Sequence, residues 1–489
     1  MTAVARLKRM QIVLTGATGF IGRALVLRLA RDGHALTALV RDAAAARGRL
    51  DAATAVVPLD DDPAVRAAIA CADAVVNLAG EPLLDRRWTA ARRARLRASR
   101  VELTQRLVDV IATRATPLPV LVSASAVGWY GDRGDDVVDE TAAPGDDFAA
   151  TLCRDWEAAA EAARPHCGRV VRARIGVVLG GEGGALAAMR RPFALGLGGP
   201  VGDGAAWVPW IHLDDCVEAL AEACVDVRLD GAVNLVAPES VRNRDLAAAV
   251  GAALGRRSWL PAPAFAVKLV LGARAAMVLG GQRVVPAALQ AIGFAWAWPT
   301  VEAAVAEALV GDEAAVAIAP VSGELPSSAY LAARPPRRTL SSRTIIDRPL
   351  DEVFAFFCAA ENLGAITPPD MGFDIVTPTP IAMAAGTTID YRIRASGVPM
   401  RWRTVIDVWE PPVAGRARFV DSQTRGPYAC WWHEHRFEAD GARTIMTDTV
   451  HYAAPLGPLG VVANRVLVAR ELRRIFTHRG RAIRLRFGA

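Results

Sequence analysis

Apolar residues in the first part of the chain fall into short unbroken runs. Gln11–Thr15, Ala35–Val40 and residues 56–59, 74–78, 120–124 and 169–178 read as strands. Most are apolar throughout, as strands covered on both faces are. Stretches of helical spacing separate them, the first at residues 21–31. Strand alternating with helix predicts a parallel, doubly wound α/β sheet. Ligands of such sheets bind at the carboxyl ends of the strands, so the segments after Leu78, Ser123 and Ile175 are expected to converge. Beyond Gly181 the strict rhythm stops. Helices are expected at residues 215–224 and 243–254, and an apolar helix pair at 261–281 is expected in the core.

From residue 337 the period shortens. Strands are expected at 339–346, 387–394, 398–409, 417–421, 428–437 and 443–452, joined by glycine and proline turns. A short helix at 349–358 has proline near its start. A long helix at 459–485 places Val461, Val462, Val466, Leu467, Leu472, Ile475 and Phe476 at apolar positions. Alternation puts Val398, Met400, Trp402, Ile406 and Val408 on one strand face. Residues 311–336, with Arg334-Pro335-Pro336, read as a linker. The division is therefore a nucleotide-type domain over 10–310, a linker over 311–336 and an α+β domain over 337–489.

Composition narrows the class. A chain of 489 residues, 52% hydrophobic and 22% charged, fits two or three globular domains. The longest apolar candidate, residues 264–281, is interrupted by Lys268 and Arg274, so no membrane span is expected. The basic start has no apolar run of the secretory kind. Seven scattered cysteines without a C-x-x-C spacing point to a reducing cytoplasm. The net charge of +6 lies wholly in residues 337–489, with 21 basic against 15 acidic side chains; residues 1–336 carry 36 of each. Eight arginines follow Val461, namely 465, 470, 473, 474, 479, 481, 484 and 486, and read as a solvated helix face. No nucleic-acid motif accompanies them.

The first strand runs into Gly16-Ala17-Thr18-Gly19-Phe20-Ile21-Gly22 and then a helix. Glycines there let the backbone approach a pyrophosphate, and the helix N-terminus favours its charge. The second strand ends in Arg41-Asp42. Arg41 suits a 2′-phosphate and points to NADP; the other reading has Arg41 in solvent and Asp42 on the ribose. Asp60, ending the third strand, is placed near the adenine.

The glycine motif, Asn77-Leu78-Ala79-Gly80, and the run from Ser123 through Ser125 to Tyr130-Gly131 resemble the extended short-chain dehydrogenase/reductases of the NAD-dependent epimerase/dehydratase superfamily. More narrowly they resemble its "epimerase family protein" branch, through residues 77–88, 123–133, 153–157, 174–180, 196–204, 210–215 and 282–294. The resemblance covers about residues 10–310. It implies a dinucleotide cofactor, which the Arg41 reading makes NADP, with Gly16, Thr18, Gly19, Phe20, Ile21, Gly22, Arg41, Asp60, Leu78, Ala79 and Gly80 as the expected binding residues. It also implies a small-molecule substrate, with a substrate lobe after Gly181.

Such enzymes generally use Ser or Thr, Tyr, and Lys four residues after the Tyr. Ser125 matches the first. No tyrosine here has lysine four residues on, and the chain has only Lys8 and Lys268. Counting back from Glu157 puts Ala149 and Cys153 where the Tyr and Lys belong. Two readings stay open: an oxidoreductase or epimerase with a different acid, or a non-catalytic nucleotide-dependent sensor. Tyr130 is the candidate acid, or else a pocket wall. Glu81, Arg87 and His212 are further polar candidates, with His212 favoured as structural.

The second domain resembles the START/polyketide-cyclase-like superfamily (SRPBCC) over about 338–488, by element order and by residues 362–368, 425–435 and 455–464. That implies a hydrophobic ligand. His433 and His435 share a strand face, but a turn near Asp440 is expected to set Thr447 and Ile445 opposite them. No third ligand is apparent, so no metal is expected.

Overall fold

The computed structural model describes residues 9–181, 183–311, 316–395, 398–455 and 468–488. The chain divides into two compact units, Met1–Ala43 with Thr54–Gly311 and Ala44–Ala53 with Asp312–Ala489.

In the first unit, β1 (Gln11–Thr15), β2 (Ala35–Val40), β3 (Ala55–Pro58), β4 (Ala74–Asn77), β5 (Leu118–Ala126), β6 (Cys167–Ile175) and β7 (Gly231–Leu235) form one sheet. Its order is β7-β6-β5-β4-β1-β2-β3 and every pairing is parallel. The order reverses between β1 and β4, which creates a crevice at their carboxyl ends, Thr15 and Asn77. Helices α1 (Phe20–Arg31), α2 (Phe148–Glu161) and α3 (Leu213–Val225) belong to this unit. One core cluster joins Val13, Leu39 and Val75 of the sheet to Val65, Leu107 and Ile111 of flanking helices.

Residues 169–178, expected as one strand, are two. The chain breaks at Gly176, where a Cβ would lie 2.6 Å from the Pro209 carbonyl oxygen. The outgoing piece, Val177–Gly180, pairs instead with Trp210–His212. Most of the apolar stretch at 261–281 is not core, although Ala275 is buried. Its helix α4 (Ala264–Leu271) has no buried residue, and Phe265 and Leu269 are 75% and 77% exposed. A uniformly apolar run has no stripe, so its periodicity cannot say which face is covered.

The second unit is an eight-stranded sheet of β8 (Val316–Pro320), β9 (Arg338–Ile346), β10 (Asp374–Ile375), β11 (Thr388–Ala395), β12 (Val398–Val413), β13 (Arg416–Arg425), β14 (Cys430–Asp440) and β15 (Arg443–Ala453). All of its pairings are antiparallel, in the order β8-β9-β15-β14-β13-β12-β11-β10. Val316–Pro320, within the stretch read as linker, thus forms the edge strand beside β9. Helices α5 (Leu350–Cys358) and α6 (Ala469–Phe487) belong to the same unit. Leu472 and Phe476 of α6 pack with Trp402, Trp431 and Tyr452 of the sheet.

A bulge between Ile406 and Val408 breaks the expected common face of β12. Val408 joins a separate cluster with Val420 and Trp432. The expected helix start at 459–467, with Val461, Val462, Arg465, Val466 and Leu467, lies outside the described residues. The arginines of α6 are not all solvated. Arg479 and Arg481 are buried, and the Arg479 guanidinium lies over the Phe357 and Phe476 rings. The seven cysteines are free thiols. Among the described residues no helix is long and apolar enough to cross a membrane.

Candidate functional site

At the crevice the backbone rather than side chains makes the surface. Gly16 has φ +70°, and a Cβ there would lie 2.7 Å from the Leu78 carbonyl. A Cβ on Gly22 would overlap the Gly16 carbonyl oxygen. Helix α1 starts after Gly19 with no side-chain cap and no acidic residue in its first turn. Its leading N–H groups and positive dipole end are therefore free to receive an anion. Thr15 Oγ1 fastens this turn to β4 by donating to Asn77 Oδ1 at 2.7 Å, and Asn77 donates to Thr104 at 2.8 Å. Arg41 and Asp60 are exposed at the ends of β2 and β3.

A cavity of about 1350 Å³ lies beside this turn. Ile21, Leu78 and Gly80 line it, together with Ser125, Gly128, Ala149, Cys153 and, from α4, Lys268. The two α2 positions where the sequence count puts the Tyr and Lys do reach the cleft, but they hold methyl and thiol. Burial, with Glu157 beside it, pushes the Cys153 thiol up to about 12. Arg100 also lines the cleft, and burial pulls its guanidinium below the usual range.

Beneath Ser125 runs a closed chain of polar groups. Ser125 Oγ donates to Glu157 Oε1 at 2.7 Å. Arg174 donates to both Glu157 oxygens, at 2.8 and 3.0 Å, and to the Tyr130 oxygen at 3.0 Å. Tyr130 in turn donates to Asn234 Oδ1 at 2.6 Å. Asn234 is oriented by its own donation to the Val285 carbonyl, at 2.9 Å.

Tyr130 is fully buried, packs in a cluster with Val127, Val138, Val236 and Val284, and does not line the cleft. Burial raises its phenol above the usual value. The structure thus brings Ser125 to the cleft and leaves Tyr130 underneath it. Glu157, Arg174 and Asn234 escaped the sequence reading as site residues. For Arg174 and Asn234 the signal was a charged or amide side chain inside a largely apolar run; Glu157, in the charged run Arg154-Asp155-Trp156-Glu157, carried no such signal. Of the other polar candidates, Glu81 is held by Arg92 and Arg95, and Arg87 is exposed. His212 caps α3 by accepting from the Asp214 N–H at 3.2 Å, and its Nε2 lies 2.9 Å from Glu307.

The second unit has its own cavity, about 200 Å³, lined mainly by apolar and aromatic side chains such as Phe373, Tyr391, Trp402 and Trp431. Asp421, His433, His435 and Arg479 form a polar wall. The β14–β15 register differs from expectation by three residues. His433 faces Val450 and His435 faces Asp448, because the hairpin turns at Gly441-Ala442, with Gly441 at φ +63°, rather than at Asp440. A second carboxylate comes from the other neighbour, β13, where Asp421 pairs with His433. Despite its burial, Arg479 and the two imidazoles hold Asp448 well below the usual carboxylate range.

Comparison with known proteins gives the following. Residues 12–235 match the "NAD dependent epimerase/dehydratase family" and residues 262–308 a "Domain of unknown function (DUF1731)". The chain is 41% identical over 297 residues to the "Epimerase family protein SDR39U1 homolog, chloroplastic" of Arabidopsis thaliana, covering 58% of this chain and 83% of that one. It is 38% identical to the human "Epimerase family protein SDR39U1", covering 61% and 99%. A crystal structure of the human protein with NADPH superposes with TM-score 0.54 at 36% identity, covering 62% of this chain and 99% of the other.

Proposed function

Because the chain belongs to the NAD dependent epimerase/dehydratase family, we propose that its first unit binds NADP(H) and acts on a small carbonyl or hydroxyl compound, as an oxidoreductase or an epimerase-like enzyme. The observation that carries this reading is the glycine cradle at the head of α1, where Cβ atoms would collide with backbone. The human relative crystallised with NADPH supports the phosphorylated nucleotide. In this reading Gly16, Thr18, Gly19, Phe20, Ile21 and Gly22 surround the pyrophosphate. Arg41 would pair with the 2′-phosphate, Asp60 would approach the adenine, and Leu78, Ala79 and Gly80 would complete the cofactor site.

NADP(H) supplies the hydride chemistry. The chain would supply Ser125 at the substrate oxygen, where its oxygen accepts from a substrate hydroxyl while its own O–H stays hydrogen-bonded to Glu157, whose charge Arg174 balances. Tyr130 then acts as a positioning residue that holds Arg174, in place of the acid role read from the sequence. The second unit, in the START-like reading, holds a hydrophobic molecule against Trp402 and Trp431.

Ala149 and Cys153 on the cleft wall favour a second reading, a nucleotide-dependent sensor without turnover. Calorimetry with NADPH and NADH on the wild type, Gly19→Asp and Arg41→Ala separates these from no function at all. Expected are tight NADPH binding, its loss in Gly19→Asp, and a selective loss of NADPH over NADH in Arg41→Ala. A carbonyl-dependent NADPH oxidation that Ser125→Ala slows supports the enzyme. Tight binding with no oxidation across a carbonyl panel supports the sensor, and no nucleotide binding overturns both.

A further inference from the structure

We infer that Asp421, His433 and His435 form a binding site for a first-row divalent metal ion at the polar wall of the C-terminal cavity. This stands independently of the nucleotide reading. One ligand atom from each of the three residues lies within 4.8 Å of the others.

The two short contacts to Asp448 point to which atoms those are. His433 Nε2 lies 2.9 Å and His435 Nδ1 2.8 Å from the same oxygen, Asp448 Oδ1. Contacts that short between nitrogen and a carboxylate need a proton between them, so each neutral imidazole spends its one N–H on Asp448. Lone pairs then remain on His433 Nδ1 and His435 Nε2. These two atoms lie 3.7 and 3.3 Å from Asp421 Oδ2. With the N–H groups so placed, three acceptors meet there, in a wall where both histidines are at most 5% exposed; the opposite His435 tautomer would instead donate from Nε2 to Asp421 at 3.3 Å. Buried acceptors facing one another are costly unless a cation lies between them.

The two distances to Asp421 suit such an ion. Bonds of about 2.0–2.1 Å to nitrogen and oxygen give a tetrahedral ligand–ligand edge of about 3.3–3.4 Å. Asp448 completes the second shell that ligating histidines generally have, a carboxylate fixing both tautomers. Arg479, 3.6 Å from Asp448, balances that carboxylate. The rival tautomer has His435 Nδ1 accepting from Arg479 at 3.2 Å and Nε2 donating to Asp421 at 3.3 Å, but it leaves the 2.8 Å contact to Asp448 without a proton. A doubly protonated His435 would set a second positive charge beside the Arg479 guanidinium.

The other clustered group, His212 with Asp214 and Glu307, lacks this property. There Nδ1 accepts a backbone N–H and Nε2 faces Glu307, so no ring lone pair is left over. Three protein ligands leave a coordination position for water or a substrate oxygen, the pattern of catalytic rather than structural sites. The cavity therefore suits an apolar molecule that carries an oxygen donor.

The test uses untagged full-length protein stripped with a chelator and titrated with ZnCl2 by calorimetry, then with CoCl2 by visible absorption. Expected is one saturable equivalent per chain and cobalt d–d bands indicating imidazole ligands. Asp448→Asn should weaken affinity about 10–100-fold. His433→Ala with His435→Ala should abolish binding, and His212→Gln should leave it unchanged. Asp421→Asn, nearly isosteric, carries the same expectation of loss if the double variant does not fold. No saturable binding by folded wild type, or binding that survives loss of both histidines, overturns the inference; the doubly protonated His435 then accounts for the geometry.

Discussion

Glu157 is 3% exposed and grips Arg174 through both carboxylate oxygens, while Ser125 donates to the same carboxylate. Neutralising one partner of a buried pair leaves the other charge uncompensated, at a cost of about 3–5 kcal/mol. Glu157→Gln should therefore lower the urea midpoint of the first unit's transition sharply, whereas Ser125→Ala should cost about 1 kcal/mol, one hydrogen bond. His34 offers a pH test. Burial lowers its pKa, and its Nδ1 accepts the Met10 N–H at 3.2 Å. The fold thus prefers the neutral ring. That contribution is full above about pH 6.5, the unfolded value, and is lost as pH falls through the depressed folded value. His34→Gln should flatten the loss of melting temperature between neutral and mildly acid pH. At this scale Ser125 and the glycines were legible because their residue types define backbone or hydroxyl chemistry. Glu157, Arg174 and Asn234 were not, because their meaning lies in contacts up to 104 residues apart, such as Tyr130 with Asn234.

Among elements, six of the seven strands of the parallel sheet were readable because burial on both faces makes them largely apolar; the edge strand Gly231–Leu235, with Asn234 inside it, was not read. The α1 turn was readable for a steric reason that can be tested. Gly22→Ala would press a methyl into the Gly16 carbonyl, so it should reduce nucleotide affinity and lower the melting temperature together. Helix α4 was misjudged because an apolar run without a stripe looks the same buried or exposed. With Leu269 77% exposed, Leu269→Ser should change stability by no more than about 0.5 kcal/mol, as measured by thermal unfolding. The β14–β15 register was missed through the turn, since a shift in hairpin centre re-pairs every residue along both strands. That shift exchanged Ile445 for Asp448 opposite His435 and so hid the acid.

Across the whole molecule, thiol placement gives a compact check. Cys71 alone is exposed, five cysteines are buried, and Cys358 is intermediate with burial pushing it up to about 11. A thiol reagent near pH 8 should modify one cysteine quickly in native protein and seven in denaturant, and Cys71→Ser should remove the fast phase. The change from parallel to antiparallel architecture was visible in the shift of period near residue 337, yet the edge strand Val316–Pro320 was hidden in proline-rich surroundings. Basic charge is carried almost wholly by arginine, with Lys268 on the cleft wall and Lys8 as the two lysines of the chain. Amine-reactive chemistry is consequently site-directed in this protein. A dye ester would attach at the chain start or at the mouth of the cleft, where its emission reports on occupancy. Amine coupling to a sensor surface would tether many molecules through that same cleft and suppress the binding it was meant to measure.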